Sequence, residues 1–114
     1  MPFIRTTTSK PLTKEQITEI KCEYGRSISI VSGKNERQLM LAFHDDIPMS
    51  YQGDEKTACA MVEVSLFGAA DPKELDGLTA AITNTLVRVA SLSPERVYVN
   101  YLEFKYWGVS GGNV

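Results

Sequence analysis

Proline stands directly behind the first methionine, in the stretch Met-Pro-Phe-Ile-Arg that opens the chain. Removal of Met1 gives Pro2 a free secondary amine in place of an amide nitrogen. An α-amino group titrates near pH 8 in model peptides, and an apolar pocket or a nearby cation lowers that pKa further. Pro2 is therefore a candidate general base at physiological pH. The alternative is an ordinary second residue that permits methionine removal.

Three further polar residues stand out by their positions in the sequence. Lys34 follows the first predicted helix in Ser-Gly-Lys, where a cation also suits the helix dipole. Tyr98 and Asn100 alternate with apolar residues in Val-Tyr-Val-Asn-Tyr, so their side chains share one face of a predicted strand. If Asn100 is buried, its amide needs hydrogen-bond partners.

Metal and redox chemistry have little support. His44 is the single histidine and precedes two aspartates, but three adjacent side chains on an extended segment cannot all face one ion. Cys22 and Cys59 form neither a disulfide framework nor a C-x-x-C pair, so both are expected to be reduced thiols. No phosphate-binding motif is present, and neither metal nor cofactor is predicted.

Composition indicates one globular domain over residues 1–114. Forty-three per cent of residues are apolar, and the net charge of −2 comes from interspersed acids and bases. This balance gives no reason to expect nucleic acid or an anionic membrane as a partner. No apolar run approaches the roughly 18 residues that span a bilayer, and the first dozen residues contain no signal-peptide core. A cytoplasmic protein is therefore the default expectation.

Two helices are predicted from capping signals and apolar spacing. In Leu-Thr-Lys-Glu-Gln, Thr13 and Gln16 predict a capping box, and Gly33 stands where a C′ glycine belongs. In Ala-Asp-Pro-Lys-Glu-Leu, Asp71 predicts a cap completed by Glu74, with proline at the first helical position. The apolar stripes have the same offsets: Ile17, Ile20, Tyr24, Ile28 and Val31 in one, and Leu75, Leu78, Ile82, Leu86 and Val89 in the other.

Strand-like segments flank both helices. Residues 2–8, 35–43, 60–66 and 93–101 are rich in β-branched, aromatic or apolar side chains. The chain is thus predicted to contain two tandem β-α-β units, pseudo-repeats of about 1–57 and 58–114, joined by the loop 44–57. A short extra strand is predicted at 104–107.

This pattern predicts an α/β (α+β) fold, a four-stranded mixed sheet with both helices on one face. The segment Ala-Met-Val-Glu-Val-Ser-Leu-Phe-Gly is apolar at both parities, with Met61 and Phe67 on one side and Val62, Val64 and Leu66 on the other. Two helices cover only one face. The other face is therefore predicted to lie in a subunit interface.

Four features together resemble the macrophage migration inhibitory factor family of the tautomerase superfamily. They are Met-Pro before an apolar strand, Ser32–Lys34 after the first helix, Ser65–Gly68 in the segment after the third strand, and Ser93–Tyr101 leading into the fourth. The resemblance covers the whole chain and includes the tandem layout.

The resemblance implies a homotrimer that catalyses keto–enol tautomerisation of an α-keto acid such as phenylpyruvate, without a cofactor. Pro2 moves the proton and Lys34 pairs with the substrate carboxylate. In the Ser65, Leu66 and Phe67 segment, the Phe67 N–H binds a substrate oxygen. Tyr98 and Asn100 reach the active site of the neighbouring subunit. Trp107 matches the aromatic wall of the pocket, but Val109 replaces a second tryptophan, which implies weaker stacking.

Two other interpretations remain open. One is a cytokine-like protein with a protein receptor and a vestigial pocket, which is compatible with secretion without a signal peptide. The other is a ferredoxin-like regulatory module that binds a small molecule.

Overall fold

A computed structural model describes all 114 residues. A strand–helix–strand succession occurs twice along the chain and is followed by a short hairpin at its end. Their bounds are β1 Pro2–Thr8, α1 Lys14–Ser27, β2 Met40–His44, β3 Ala60–Phe67, α2 Pro72–Ala90, β4 Val97–Phe104, β5 Gly108–Val109 and β6 Gly112–Asn113. The predicted α+β class and its two helices are confirmed.

Four strands form one mixed sheet in the order β2-β1-β3-β4. β1 runs parallel to β2, and β3 runs parallel to β4. The two central strands, β1 and β3, are antiparallel and pair from Pro2 opposite Leu66 to Thr8 opposite Ala60. This register brings the amino end of the chain to the carboxyl end of β3.

One face of the sheet carries both helices. Alternate residues of β1 and β3 are buried there, including Ile4, Val62, Val64 and Leu66. They join one core with fully buried helix residues, namely Ile20, Tyr24, Leu78, Ile82 and Leu86. Burying each such aliphatic side chain contributes about 1.5–3 kcal/mol, so this layer supplies most of the driving force for folding.

Both helix starts lie where their caps predict. The Thr13 side chain accepts a hydrogen bond from Gln16 N at 3.1 Å, and Thr13 N donates to Gln16 Oε1 at 2.8 Å. Asp71 caps α2 by accepting from Lys73 N at 2.9 Å, and Pro72 occupies the first helical position. These local signals are confirmed.

Two local predictions on the helices are wrong. Glu74 does not complete a capping box, because its carboxylate accepts from Ser32 N and Ser32 Oγ at 3.1 and 2.6 Å. Gly33 does not end the first helix. The α-helix stops at Ser27 and tightens into a 3-10 turn over Ile28–Ile30, and Gly33 follows in a turn with φ of +80°.

Strand limits also differ from prediction. β2 starts at Met40 because the polar residues before it form a 3-10 turn, Glu36–Gln38, capped by Asn35. β4 starts at Val97 after a similar turn, Pro94–Arg96. The extra strand at 104–107 is wrong. The hairpin lies later, at Gly108–Val109 and Gly112–Asn113, because Ser110 and Gly111 have φ of 54° and 85° and make a tight two-residue turn.

The face of the sheet away from the helices has no covering layer within the chain. It carries exposed apolar side chains such as Met40, Leu102 and Phe104. A pair of hydrogen bonds at 2.9 and 3.1 Å joins Arg5 to Glu63 in its middle, so this open face is mixed rather than purely apolar. No helix has the length and apolar character needed to cross a membrane.

Candidate active site

The amino end of the chain is held against the end of β3. Pro2 is buried and pairs with Leu66 across the antiparallel ladder. The backbone N–H of Phe67 donates to the carbonyl oxygen of Met1 at 3.2 Å. The first peptide unit therefore lies beside the last residues of a central strand of the sheet.

The Lys34 side chain also reaches the carboxyl end of β3. It follows the turn at Gly33, where Lys34 N donates to Val31 O at 3.0 Å. Its ammonium group donates to the carbonyl oxygen of Phe67 at 2.8 Å. Pro2, Lys34 and Phe67, which the sequence places far apart, thus converge on one end of β3.

This environment weakens the basicity of an amine. The pKa of the Met1 amino group is lowered from 8.0 to about 6, first because burial disfavours the charged form. A hydrogen bond from Lys34 and its positive charge lower the pKa further. The Met1 amine is therefore largely neutral at pH 7 and can accept a proton.

An apolar cleft of about 500 Å³ opens on the uncovered sheet face, and Pro2, Lys34 and Phe67 are not among the residues that line it. It contains two of the predicted site residues, Ser65 and Trp107. The rings of Phe104 and Trp107 meet edge to face with centroids 6.1 Å apart. The cleft is lined by Phe3, Met40, Ser65, Phe104, Tyr106, Trp107 and Gly108.

Five cleft residues, namely Phe3, Met40, Phe104, Tyr106 and Gly108, were absent from the predicted site. Strand alternation could have identified Phe3, because it pairs with Ser65 on the same face. Phe104 and Met40 require the register of β4 and β2, which only the folded sheet provides.

Two other residues of the predicted site, Leu66 and Val109, do not line the cleft. Leu66 is fully buried on the helix face, so only its backbone can take part in a site. Val109 lies in the terminal hairpin and is 43% exposed.

Tyr98 and Asn100 lie far from Pro2 within one chain. They pair with Met61 and Glu63 on the open face, whereas Pro2 pairs with Leu66. Leu66 lies five residue steps beyond Met61, or about 17 Å along the strand. One subunit therefore cannot bring Tyr98 into contact with Pro2.

Other cavities and clusters lack the predicted chemistry. A second open cleft of about 540 Å³ is lined mainly by polar residues of the 46–56 loop and contains none of the predicted site residues. No group of three or more His, Cys, Asp or Glu side chains is placed to hold a metal ion. His44 lies at the end of β2, opposite Thr7.

Among the comparisons with known proteins, only the one with solved structures gives matches. No protein-family model and no curated protein matches the chain. Among solved structures, Leishmania major MIF2 is 31% identical with a TM-score of 0.93, over 100% of this chain and 97% of that one.

Two more distant structures share the fold. A macrophage migration inhibitory factor-like protein from Entamoeba histolytica is 20% identical with a TM-score of 0.87, over 99% of this chain and 98% of that one. Pt0534, solved after inactivation by 2-oxo-3-pentynoate, is 17% identical with a TM-score of 0.86, over 96% and 93%. Full-length similarity to the Leishmania protein shows that this chain belongs to the macrophage migration inhibitory factor family of the tautomerase superfamily.

Proposed function

We propose that this protein is a cofactor-independent keto–enol tautomerase whose general acid and base is the amine of Pro2, exposed by removal of Met1. The observation that carries the proposal is the convergence of the amino end, the Lys34 ammonium and the Phe67 N–H at one end of β3. A weakly basic amine, a cation and a hydrogen-bond donor are the groups that enolisation of a keto acid requires.

The proposed substrate is an α-keto acid with an aromatic side chain, such as phenylpyruvate. Lys34 pairs with its carboxylate and, by repelling a second positive charge, keeps Pro2 neutral. The Phe67 N–H, released when Met1 leaves, donates to a substrate oxygen. These roles rest on the contacts of Met1 and on the family resemblance.

The proton transfers balance without any other reactant. The neutral Pro2 nitrogen takes a proton from the carbon next to the carbonyl, and the electrons of that C–H bond form the C=C bond of the enolate. The Pro2 ammonium then delivers the proton to the carbonyl oxygen, which gives the enol and restores the neutral amine. The reverse sequence converts the enol to the ketone.

Aromatic side chains support an aromatic substrate. Phe104, Tyr106 and Trp107 line the cleft, and offset or edge-to-face ring contacts add about 0.5–1.5 kcal/mol each beyond area burial. Val109 removes one ring from the wall that the resemblance implies, but Phe104 and Tyr106 supply others.

The proposed assembly is a homotrimer in which Tyr98 and Asn100 complete the neighbouring active site. Its support is the uncovered sheet face, on which both side chains lie, and their distance from Pro2 in one chain. In this arrangement Asn100 hydrogen-bonds the far end of the substrate.

Covalent labelling tests the function directly. The purified chain, with Met1 shown by mass to be absent, is treated with 2-oxo-3-pentynoate, the compound that inactivates Pt0534. We expect phenylpyruvate tautomerase activity that is lost as one adduct forms on the amino-terminal peptide. A chain that retains Met1 is the control and should form no adduct on the Pro2 nitrogen, because that nitrogen is then an amide. Absence of activity from a chain with a free Pro2 would refute the proposal and favour a binding role.

A further inference from the structure

Tyr98 has an aromatic partner in its own chain. Its side chain is 55% exposed, yet its ring meets the Tyr51 ring edge to face, with centroids 5.3 Å apart at 89°. The Tyr98 hydroxyl donates to the Tyr51 hydroxyl at 3.3 Å. These two contacts restrict the orientation of an otherwise exposed side chain.

The loop that carries Tyr51 is itself anchored. Tyr51 and Asp54 exchange two backbone hydrogen bonds of 3.0 Å. Arg96, only 9% exposed, donates to the carbonyl oxygens of Ala58 and Thr57 at 3.0 and 2.9 Å. Its guanidinium lies 5.0 Å from the centre of the Tyr51 ring. The Tyr51 ring is therefore held between Arg96 and Tyr98.

We propose that Tyr51 is a positioning residue that fixes the ring and hydroxyl of Tyr98, and so presents Tyr98 in one orientation to the active site of the neighbouring subunit. This inference rests on the proposed tautomerase function and its shared sites. Tyr51 acts only through Tyr98 and contacts no reacting atom.

Pre-organisation is the physical basis. A side chain that is already held in its working orientation loses less rotational freedom when substrate binds and needs less rearrangement in the transition state. Because the Tyr98 proton is directed at Tyr51, the lone pairs of the Tyr98 oxygen point away from the pair. The 3.3 Å separation is longer than a typical hydroxyl hydrogen bond, so the contact orients the hydroxyl more than it stabilises the fold.

A double-mutant cycle tests the inference in the assembled protein. Tyr51→Phe keeps the ring pair and the Arg96 contact but removes the hydroxyl. We expect it to lower kcat/KM for phenylpyruvate about two- to tenfold, the scale of one neutral hydrogen bond, with most of the loss in kcat. In a Tyr98→Phe background the same change should have no effect. Tyr51→Leu, which also removes the ring, should cost more than Tyr51→Phe.

Tyr101→Phe provides the matched control. It removes a tyrosine hydroxyl from the same strand, but one that faces α2 and contacts Thr79 and the Leu75 carbonyl. Its effect should be the same with or without the Tyr98 hydroxyl. The inference is overturned if the double variant loses kcat/KM by the full product of the two single losses. It is also overturned if Tyr51→Phe has the same kcat/KM as a wild type that is itself active. In both cases the proposed function stands. An inactive wild type overturns both.

Discussion

The carbonyl oxygen of Met1 accepts a hydrogen bond from the N–H of Phe67 at 3.2 Å. This is the donor proposed for a substrate oxygen, and the Met1 amine lies beside Lys34, the proposed carboxylate partner. A retained methionine therefore covers both binding groups and leaves Pro2 as an amide nitrogen. Removal of Met1 would create the base and uncover its site in one step.

The first prediction concerns that amino end. A chain produced with methionine aminopeptidase inhibited, which retains Met1, should have only background tautomerase activity, because its Pro2 nitrogen is an amide and its Phe67 N–H is occupied. Pro2→Gly still has a terminal amine, so it should keep some activity while losing roughly two or more orders of magnitude in kcat/KM. The intact mass of each sample shows which residue is its amino terminus. Full activity in the Met1-retaining chain would contradict the proposed base.

The second prediction separates binding of the carboxylate from tuning of the amine. Lys34→Ala should weaken the reaction of a free keto acid by about 1.5–3 kcal/mol, the range for hydrogen bonds to charged groups. It should affect the methyl ester of that substrate much less, because the ester has no charge to pair. Lys73→Ala, at the exposed start of α2, is the matched control.

Asn100→Ala should show the opposite pattern, being sensitive to a ring hydroxyl on the substrate and indifferent to esterification. Equal losses for acid and ester in Lys34→Ala would indicate electrostatic tuning of Pro2 or a structural role through the Phe67 carbonyl. In the tuning case the pH–rate profile moves to higher pH, since Pro2 then holds its proton more tightly.

The third prediction uses the Met1-retaining chain as a probe of the site. Its amine should titrate near pH 6, and Lys34→Ala should move this pKa towards 8.0. Between these pH values the unfolded chain binds more protons than the folded chain, so the free energy of unfolding rises with pH across the window. Denaturant unfolding at several pH values should show this rise, and a smaller one in Lys34→Ala. An amine that titrates at its ordinary value would rule out the proposed environment.

Local signals predicted much of the fold. Thr13 with Gln16 and Asp71 with Pro72 act through hydrogen bonds within one turn, so the sequence alone defines both helix starts. Glu74 failed as a capping residue because Ser32, distant in sequence, supplies two donors to its carboxylate. Helix ends and strand limits that depend on such tertiary contacts cannot be read from spacing.

The candidate site was predicted less completely. Pro2 was a candidate from the chemistry of a terminal amine, whereas the binding roles of Lys34 and Phe67 came from the family resemblance. Their convergence depends on the antiparallel pairing of β1 with β3. Phe104 and Tyr106 were missed because the C-terminal segment departs from the family pattern, and only the register of β4 brings Phe104 opposite Phe67. The Tyr51–Tyr98 pair joins a loop to a strand and has no sequence signal.

The fourth prediction concerns assembly. Light scattering should give about three times the 12.6 kDa chain mass. Leu102→Glu places a charge on the open face, where the leucine is 59% exposed in one chain, and should yield monomers because an interface would bury that charge without a partner. Asn84→Glu, which adds the same charge at an exposed position of α2, should remain trimeric. A monomeric wild type would remove the proposed roles of Tyr98 and Asn100.

The fifth prediction tests whether two chains share each active site. A Pro2→Gly chain keeps Tyr98 and Asn100, whereas a Tyr98→Phe, Asn100→Ala chain keeps Pro2. Because about 17 Å of strand separates the Tyr98 register from that of Pro2 in one chain, neither variant can repair its own site. Mixed trimers, made by unfolding and refolding the two chains together, should contain interfaces with an intact base on one subunit and intact partners on the next. Their kcat/KM for phenylpyruvate should exceed that of either variant refolded alone. Wild type refolded in parallel shows the highest kcat/KM that can be recovered after refolding. If mixing gives only the average of the two variants although mass spectrometry detects mixed trimers, the sites are not shared and Tyr98 and Asn100 act elsewhere.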